Sequence, residues 1–362
     1  MNKYKICVYA ICKNEEKFVS RWVDSMKEAD AIYVLDTGST DHTVQKLRDL
    51  GVHVTEKTIY PWRFDIARNE SLNLIPEDFE ICVCTDLDEI FEKGWRKKLE
   101  NIWKKHTTRL AYNFNWKLDK NNHPLVNFYI EKIHSRQNYI WEHPVHEVLT
   151  YIGTAQENKI YTNEITVNHY PDEQKSRASY LPLLELSVKE NPEDDRNMHY
   201  LGREYMYYGR WNEAIDTLIK HLSLRKATWK DERCASMRFI ARCYERLHRM
   251  DEAKMWSDKA IIEAPYLRDP YMERALLEYH LQDWSETEKY CLLALKVKEH
   301  PKSYINEVFS WDHTVYDLLS LSCYYQGKYE KAVQYIKKAL EINPVDERLN
   351  NNLKLMELKL KS

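Results

Sequence analysis

Two aspartates separated by one residue follow an apolar run in the first third of the chain. Residues 80–84 (EICVC) read as a buried strand, and Asp86 and Asp88 lie in the segment TDLDE that follows it. Side chains two positions apart in an extended chain point to the same side, so we expect both carboxylates to lie together where the strand ends. Paired carboxylates are hard oxygen ligands that suit Mg²⁺ or Mn²⁺, and a cation held in this way can bind a diphosphate.

An Asp-x-Asp pair alone is weak support for such a site, but three further polar motifs precede it. They are AICKNEE at residues 10–16, IYVLDTGSTD at residues 32–41 and ARNE at residues 67–70. The order and spacing of the four motifs resemble glycosyltransferase family 2, a family of nucleotide-sugar-dependent transferases with the GT-A fold. The resemblance covers roughly residues 4–170. It implies a nucleotide-sugar donor, expected to be a UDP-sugar, and Mn²⁺ or Mg²⁺ as the cofactor.

The resemblance assigns the donor nucleotide to residues near the ends of the first strands. Asp36 matches the position whose carboxylate accepts a hydrogen bond from the base, although many members carry two consecutive aspartates there and this chain has Thr37 second. Arg68 matches an arginine placed over the nucleotide, where a guanidinium suits phosphate or base. Asn14 and Glu15 are also assigned to the donor nucleotide by the resemblance. The competing interpretations are a turn for Asp36, a surface charge for Arg68 and a helix cap for Asn14.

Residues 141–147 (WEHPVHE) are dense in groups that donate hydrogen bonds or bind metals. Related bacterial transferases carry Val-His-Glu at this position, which makes Glu147 the implied general base for the acceptor. A zinc site that uses His143 and His146 is an alternative, but the spacing is not His-Glu-x-x-His, and Pro144 disfavours a helix that presents both rings. A purely structural cluster is the other alternative.

His169 lies in the motif VNHYP at residues 167–171. In the resembling family a histidine that closes the catalytic domain completes the metal site, so the implied ligands are Asp86, Asp88 and His169. Asp86 is also a candidate contact to the ribose of the donor. A lone histidine is more often structural, and His146 is the substitute ligand in that case.

Strand-like and helix-like segments alternate over the first 110 residues. Apolar runs predict strands at residues 5–11, 31–35, 52–57 and 81–85, and periodic apolar positions predict helices at residues 15–29, 41–50 and 64–74. Single helices between strands imply right-handed crossovers and a mostly parallel sheet, in which ligands bind beyond the carboxyl ends of the strands. Further strands are predicted at residues 109–117, 125–133, 140–149 and 159–169.

From about residue 175 the sequence is nearly all helical in pattern and contains an internal repeat. Four units carry an aromatic residue or Met and then a small residue three positions later: Trp211/Ala214, Met250/Ala253, Trp284/Thr287 and Tyr329/Ala332. The pattern resembles tetratricopeptide repeats, most clearly at residues 324–344. The predicted fold is therefore an α/β GT-A domain, Rossmann-like with a mostly parallel sheet, at residues 1–172, and an all-α tetratricopeptide-like array at residues 173–362.

Composition argues against some classes of function. The chain has 362 residues with 54 basic and 57 acidic side chains and a net charge of −3, which argues against nucleic-acid binding as its main activity. Eight cysteines without a Cys-x-x-Cys motif are typical of reduced, buried thiols. No stretch approaches the length of apolar sequence that spans a bilayer, and the first residues lack signal-peptide features. We therefore expect a cytoplasmic protein without a membrane span.

The two-part layout resembles bacterial S-glycosyltransferases of the sublancin type, which join this catalytic domain to a helical array and carry a Phe-Gly-Arg-Glu-like element. Residues 200–205 (YLGREY) occupy that place here. The resemblance implies an inverting transferase with a peptide or protein acceptor held by the repeats. A saccharide acceptor, as in lipopolysaccharide-core glucosyltransferases, is the second interpretation. The third is an inactive transferase scaffold that acts through its repeats, and a homo-oligomer is also compatible with the sequence.

Overall fold

The apolar runs of the first 170 residues form ten strands in the computed structural model, which describes residues 3–172 and 178–361. The strands are β1 Ile6–Cys12, β2 Ala31–Asp36, β3 His53–Glu56, β4 Ile81–Cys84, β5 Glu89–Phe91, β6 Arg109–Leu118, β7 Pro124–Ser135, β8 Tyr139–Glu142, β9 Val148–Tyr151 and β10 Lys159–His169. Eight of these strands form one sheet in the order β3-β2-β1-β4-β7-β6-β10-β5, and β8 pairs with β9 separately.

The half of the sheet that contains β1 to β4 is parallel. β1 pairs in parallel with β2 and with β4, and β2 pairs in parallel with β3. In the other half, β10 is parallel to β6, whereas β7 is antiparallel to both β4 and β6, and β5 is antiparallel to β10. The mostly parallel sheet predicted from the alternation of strands and helices is confirmed.

Helices cover both faces of β1. The helices that follow the first strands are α1 Val19–Met26, α2 Thr43–Asp49, α3 Phe64–Asn73 and α4 Trp95–Ile102. The apolar side chains of α1 recur at helical spacing, are buried, and share a core with the even-numbered residues of β1. The odd-numbered residues Cys7 and Tyr9 share a second core with Leu72 at the end of α3. A strand buried on both faces has to be apolar throughout, which is why β1 reads as a continuous apolar run.

One predicted strand is wrong. Residues 140–149 do not form a continuous strand but a hairpin of β8 and β9, with residues 143–147 as its loop. His143 and His146 have φ angles of +79° and +52°, a left-handed conformation that ends an extended segment, and Pro144 lies between them. The motif that contains the predicted base therefore lies on a loop rather than on a strand.

The sequence did not predict β5 and α4. β5 has three residues, which are too few to show a periodic pattern. α4 begins directly after Gly94, whose φ of +81° is a conformation that glycine adopts without steric cost. Lysines and an arginine separate the buried Trp95 and Leu99, so the apolar stripe of this helix is narrow.

The helical array predicted after residue 175 is confirmed. The helices are α5 Tyr180–Glu190, α6 Asp195–Tyr207, α7 Trp211–Ser223, α8 Lys230–Arg246, α9 Met250–Glu263, α10 Asp269–His280, α11 Trp284–Ala294, α12 Thr314–Tyr325, α13 Tyr329–Ile342 and α14 Glu347–Lys361. Those from α6 to α13 pack as four consecutive pairs. Each aromatic or Met anchor is the first residue of the second helix of a pair. The small residues Ala214, Ala253, Thr287 and Ala332 are fully buried, so a small side chain lets the paired helices approach closely.

Packing divides the chain into two units. The first contains Met1–Ser187 and Lys302–Tyr304, and the second contains Val188–Pro301 and Ile305–Ser362. The predicted end of the transferase domain at residue 172 stays a prediction.

Two expectations from composition concern the whole chain. All eight cysteines are buried with free thiols, as predicted. Among residues 3–172 and 178–361, no helix is both long and apolar enough to cross a bilayer.

Gly202 on α6 lies against Leu218 on α7 without room for a side chain. A Cβ at this position would lie 2.5 Å from Cγ of Leu218, well inside van der Waals contact. We expect Gly202→Ala to lower the free energy of unfolding by about 1–3 kcal/mol, because overlap with a branching carbon outweighs the gain of about 1 kcal/mol in helix propensity. Urea denaturation followed by circular dichroism measures this change.

Leu218→Ala provides the control, since it removes the atoms that the new Cβ would meet. In that background Gly202→Ala should cost less than it does in the wild type, so that the two substitutions are non-additive. An equal loss of stability in both backgrounds would show that the close approach of the helices does not limit this position.

Candidate active site

Parallel pairing brings together the polar residues that follow the strands. β2 ends at Asp36, which pairs with Cys12 at the end of β1. The neighbouring strand β4 ends at Cys84, and Asp86 and Asp88 follow in the short connection to β5. Because parallel strands end at the same edge of a sheet, the predicted base-binding and metal-binding carboxylates share one rim.

Asp36 is buried, and its carboxylate organises the turn that follows β2. Oδ1 accepts hydrogen bonds from the backbone N–H groups of Gly38 at 3.0 Å and Ser39 at 2.8 Å. Oδ2 accepts a hydrogen bond from the hydroxyl of Ser39 and another, at 3.4 Å, from the thiol of Cys12. Asp36 is therefore a turn-forming residue in this structure, and its contact to a base stays a prediction.

Asn14 and Glu15 join the loop after β1 to the loop after β2. Asn14 has a φ of +56°, and its Oδ1 accepts a hydrogen bond from the backbone N–H of Thr40 at 2.7 Å. The backbone N–H of Asn14 donates to Oγ of Ser39 at 2.8 Å, and that of Glu15 donates to Oγ1 of Thr43 at 2.8 Å. These bonds hold the two loops together, and the role of both residues at the donor nucleotide stays a prediction.

Arg68 on α3 is the centre of the site. Its side chain is 4% exposed, and Nε donates to Oε1 of Glu147 at 3.0 Å. Nη2 donates to Oδ1 of Asp86, and Nη1 lies 3.5 Å from Sγ of Cys84. One buried guanidinium therefore joins the predicted base to the first aspartate of the pair.

The charges of Arg68 and Asp86 depend on each other. Burial opposes the charge on Arg68, but the nearby Asp86 carboxylate contributes most to raising the pKa of Arg68 well above its ordinary value. Burial also opposes ionisation of Asp86, whereas the cations Arg68 and Lys132 outweigh it and hold the pKa of Asp86 well below its usual range. Both groups are therefore charged at neutral pH.

Lys132 on β7 is a site residue that the sequence analysis missed. Its Nζ donates to Oδ2 of Asp86 and to Oε1 of Glu89, at 2.8 Å in both cases. Oε2 of Glu89 accepts a hydrogen bond from the backbone N–H of Asp86 at 3.0 Å, which closes the cluster. The available signal was a charged residue in a predicted strand that follows an apolar and aromatic stretch, because a charge in a strand with neighbours on both sides needs a partner.

His169 and Asp88 face each other where β10 ends beside β5. Nε2 of His169 lies 3.4 Å from Oδ2 of Asp88, and Nδ1 lies 3.0 Å from the carbonyl oxygen of Trp116, to which it donates. The backbone N–H of Tyr170 donates to the carbonyl oxygen of Asp88 at 2.8 Å. Burial opposes protonation of His169, but the hydrogen bond with Asp88 and the charge of that carboxylate outweigh it, so the pKa of His169 is raised.

The pair fits a divalent cation that has few protein ligands. Asp88 supplies a carboxylate oxygen and His169 an imidazole nitrogen, a combination that suits Mn²⁺ better than Mg²⁺. Within residues 3–172 and 178–361, no three side chains of His, Cys, Asp or Glu are arranged to hold a metal ion together. The remaining coordination positions would fall to water and phosphate oxygens, as is common for such ions. The metal and the choice of ligands stay predictions.

The hairpin loop between β8 and β9 is tied to the start of α3. The backbone N–H of Phe64 donates to the carbonyl oxygen of Pro144 at 2.9 Å, and the ring of His146 packs edge-on against Tyr180 with the centroids 5.7 Å apart. In the part of the chain that the structure describes, neither His143 nor His146 joins a group of three metal-binding side chains.

Trp141 on β8 supports the guanidinium of Arg68. The guanidinium lies 5.5 Å from the ring in a cation–π contact, and the backbone N–H and C=O of Trp141 both bond the side-chain amide of Asn69 at 2.8 Å. Nε1 of Trp141 donates to the hydroxyl of Tyr9 at 3.0 Å, and that hydroxyl lies 2.8 Å from Nε2 of His134. In the Ala-Arg-Asn motif, Asn69 therefore holds the hairpin while Arg68 reaches the carboxylates.

Two protein families match parts of this chain. The family model of Glycosyl transferase family 2 matches residues 7–148, and that of the Tetratricopeptide repeat matches residues 313–344. The first match contains the Arg68 cluster and Asp88, and the second contains α12 and α13. No curated protein matches the sequence.

Several solved structures resemble about half of the chain. The likeness to MamA covers 48% of this chain and 96% of MamA, with 18% sequence identity and a TM-score of 0.38. The likeness to TTC0263, a thermophilic TPR protein in Thermus thermophilus, covers 50% of this chain and 90% of TTC0263, with 20% identity and a TM-score of 0.37. The likeness to yeast Tom70 covers 52% of this chain and 37% of Tom70, with 13% identity and a TM-score of 0.40. These are likenesses of fold alone.

The family match defines the class of the protein. The chain carries a glycosyltransferase family 2 domain in its N-terminal half and a tetratricopeptide repeat near its C-terminal end. It is therefore a glycosyltransferase, and this class takes its sugar from a nucleotide-sugar donor. Repeats of the second kind are typical of proteins that bind other proteins.

His134, which supports the site through Tyr9, is fully buried, and burial lowers the pKa of His134 to about 3. A histidine in the unfolded chain titrates near pH 6.5. The unfolded state therefore gains its proton first as the pH falls, and stability is lost from about pH 6.5 down to about pH 3. We expect His134→Gln to reduce the loss of unfolding free energy between about pH 6.5 and 5.5 by about 1 kcal/mol.

Urea unfolding at the two pH values measures this effect, because the comparison within each variant removes any constant cost of the substitution. His106→Gln is the matched control, since His106 is an exposed histidine of the same domain. If His134→Gln retains the full pH dependence of the wild type, His134 does not titrate in the expected way.

Proposed function

We propose that this glycosyltransferase is metal-dependent and inverting, and that it moves a sugar from a UDP-sugar to a peptide or protein acceptor. The observation that carries the proposal is the buried Arg68 cluster, in which one guanidinium binds both the implied base Glu147 and Asp86. Asp88 follows Asp86 by two positions, and His169 at the end of β10 lies 3.4 Å from it. A base, a phosphate-binding cation and a metal-binding pair are the groups that this reaction needs.

The donor would lie along the rim formed by the ends of β1, β2 and β4. Asp36 is the proposed contact to the base, and Asn14 and Glu15 line the same pair of loops. Arg68 is the proposed contact to the diphosphate, because a guanidinium matches two phosphate oxygens at once. Asp86 would contact the ribose or the metal.

Asp88 and His169 are the proposed protein ligands of Mn²⁺ or Mg²⁺, with Asp86 as the third candidate. When bound, such an ion supplies positive charge to the oxygens of the departing diphosphate. The protein's own part is to keep the ligand pair fixed: the backbone N–H of Tyr170 holds the carbonyl of Asp88, and the carbonyl of Trp116 orients the ring of His169.

Glu147 would act as the general base. Its carboxylate accepts the proton of the acceptor nucleophile while the nucleophile attacks the anomeric carbon of the sugar. The bond between that carbon and the β-phosphate oxygen breaks, and UDP leaves with the electron pair on the opposite side, so the anomeric configuration inverts. The hydrogen bond from Arg68 holds one oxygen of Glu147 in place.

The acceptor is proposed to be a peptide or protein because repeat arrays expose extended surfaces built from successive units. A saccharide acceptor remains the second candidate, and the repeats would then serve attachment to another protein or to a second copy of the chain.

Release of UDP from a UDP-sugar, with and without Mn²⁺ after chelator treatment, tests the reaction. In this assay Glu147→Gln should lower transfer by roughly 10²–10⁴-fold, since the amide cannot take the proton, while the affinities for UDP and Mn²⁺ stay close to those of the wild type. Glu142→Gln is the matched control, because Glu142 is an exposed residue of the same hairpin that bonds Thr150. An equal loss of UDP binding in Glu147→Gln would mean that Glu147 only positions Arg68 and that the base lies elsewhere.

Tyr207 at the end of α6 is 59% exposed, and we propose it as a contact to the acceptor. We expect Tyr207→Ala to raise the KM for a peptide acceptor by about tenfold, which corresponds to about 1.4 kcal/mol, because an exposed aromatic residue supplies a large contact surface. Hydrolysis of the donor should not change. Ile262→Ala on α9 is the control, with 78% of Ile262 exposed. A KM of Tyr207→Ala for the peptide acceptor equal to that of the wild type would contradict a peptide site at Tyr207. Transfer to saccharide acceptors at the same rate as to the peptide would contradict it as well.

A further inference from the structure

Both carboxylate oxygens of Asp86 are engaged by cations that belong to the protein. Oδ1 accepts a hydrogen bond from Arg68, and Oδ2 accepts one from Lys132 at 2.8 Å. The same Nζ of Lys132 donates to Oε1 of Glu89, also at 2.8 Å. Lys132 is 15% exposed and Glu89 is 4% exposed at the side chain, so this bridge is shielded from solvent.

Lys132 thus lies between two carboxylate oxygens that could otherwise share a divalent cation. An ammonium group has three donors and no acceptor, so it can bind both oxygens but cannot complete a coordination sphere. Its single charge, together with that of Arg68, also repels any second cation that approaches Asp86.

We propose that Lys132 is a positioning residue that keeps Asp86 out of the coordination sphere of the metal, and that the ion is held by Asp88 and His169 together with the donor diphosphate. This inference rests on the metal-dependent transfer proposed above. It narrows the role of Asp86 to orienting Arg68 and contacting the donor, although the Asp-x-Asp pattern presents both aspartates as ligands.

Two protein ligands make a weak site for a hard cation, because such ions usually take about six ligands. The phosphate oxygens of the donor would supply the missing ligands and the missing negative charge. The protein without nucleotide should therefore bind Mn²⁺ weakly, and UDP should tighten that binding by at least tenfold.

Removal of the Lys132 ammonium group tests this arrangement. Titration of Mn²⁺ without nucleotide, followed by the electron paramagnetic resonance signal of the free ion, measures affinity without any turnover. We expect Lys132→Met to bind Mn²⁺ at least tenfold more tightly than the wild type, because Oδ2 of Asp86 and Oε1 of Glu89 become available. Lys132→Arg keeps the charge and should show no such gain.

Two controls identify the source of the gain. Lys159→Met removes a lysine of the same sheet that pairs with Glu131 at 2.7 Å, and it should leave Mn²⁺ affinity unchanged. Asp86→Asn in the Lys132→Met background should cancel most of the tightening, whereas Asp88→Asn should weaken binding in every background.

The double variant Lys132→Met/Glu89→Gln removes one charge of each sign and keeps the test available if the single variant does not fold, as judged by circular dichroism. Folded Lys132→Met or the double variant with Mn²⁺ affinity equal to or weaker than that of the wild type would overturn the proposal. Tight Mn²⁺ binding by the wild type without UDP would overturn it as well. Failure of the proposed function would appear separately, as the absence of Mn²⁺-dependent UDP release by the wild type.

Discussion

The buried guanidinium of Arg68 is the interaction on which the site depends. A charge that is almost fully removed from water is tolerated only when its hydrogen bonds are satisfied by partners of opposite charge. The contacts of Arg68 are supplied by Glu147, Asp86, Cys84 and the ring of Trp141. They come from the end of β4 and the connection after it and from the β8–β9 hairpin, so segments that are distant in the sequence have to fold together before the charge is compensated.

The motifs that resemble glycosyltransferase family 2 single out most of the residues of this candidate site. Arg68, Asp86 and Glu147 were each selected separately from local motifs, and the structure brings them into one hydrogen-bonded cluster. Asp88 and His169 were likewise selected from motifs at opposite ends of the domain, and they face each other at 3.4 Å. Local motifs of this kind can be recognised in a sequence because a given chemical function can be supplied by only a few residue types.

Lys132 was not found because its role depends on strand register. It reaches Asp86 only because β7 lies beside β4, with Ile133 opposite Val83. No local pattern states which strand lies beside which, or in which register. The hairpin loop was missed for a related reason, since the left-handed residues His143 and His146 reverse the chain without the glycine that usually marks such a conformation.

The repeats show the same division between local and distant information. The buried small residue of each helix pair was readable from spacing alone, because it depends on contacts within one repeat. Arg242 on α8 donates to Glu273 on α10 and, at 2.6 Å, to Glu307. The charge of Arg242 is therefore compensated by carboxylates more than one helix away. The sequence around Arg242 does not show which residues these are.

Helix α3 and the β8–β9 hairpin are joined at Phe64, Arg68 and Asn69, which bond Pro144, Glu147 and Trp141 in turn. Contacts spread along a helix in this way oppose both rotation and sliding of the helix against the hairpin. The distance of 3.0 Å between Nε of Arg68 and Oε1 of Glu147 is therefore set by the packing of the two elements. If Glu147 is the base and Arg68 the phosphate contact, as proposed, an acceptor and a donor would have to meet at that one spacing.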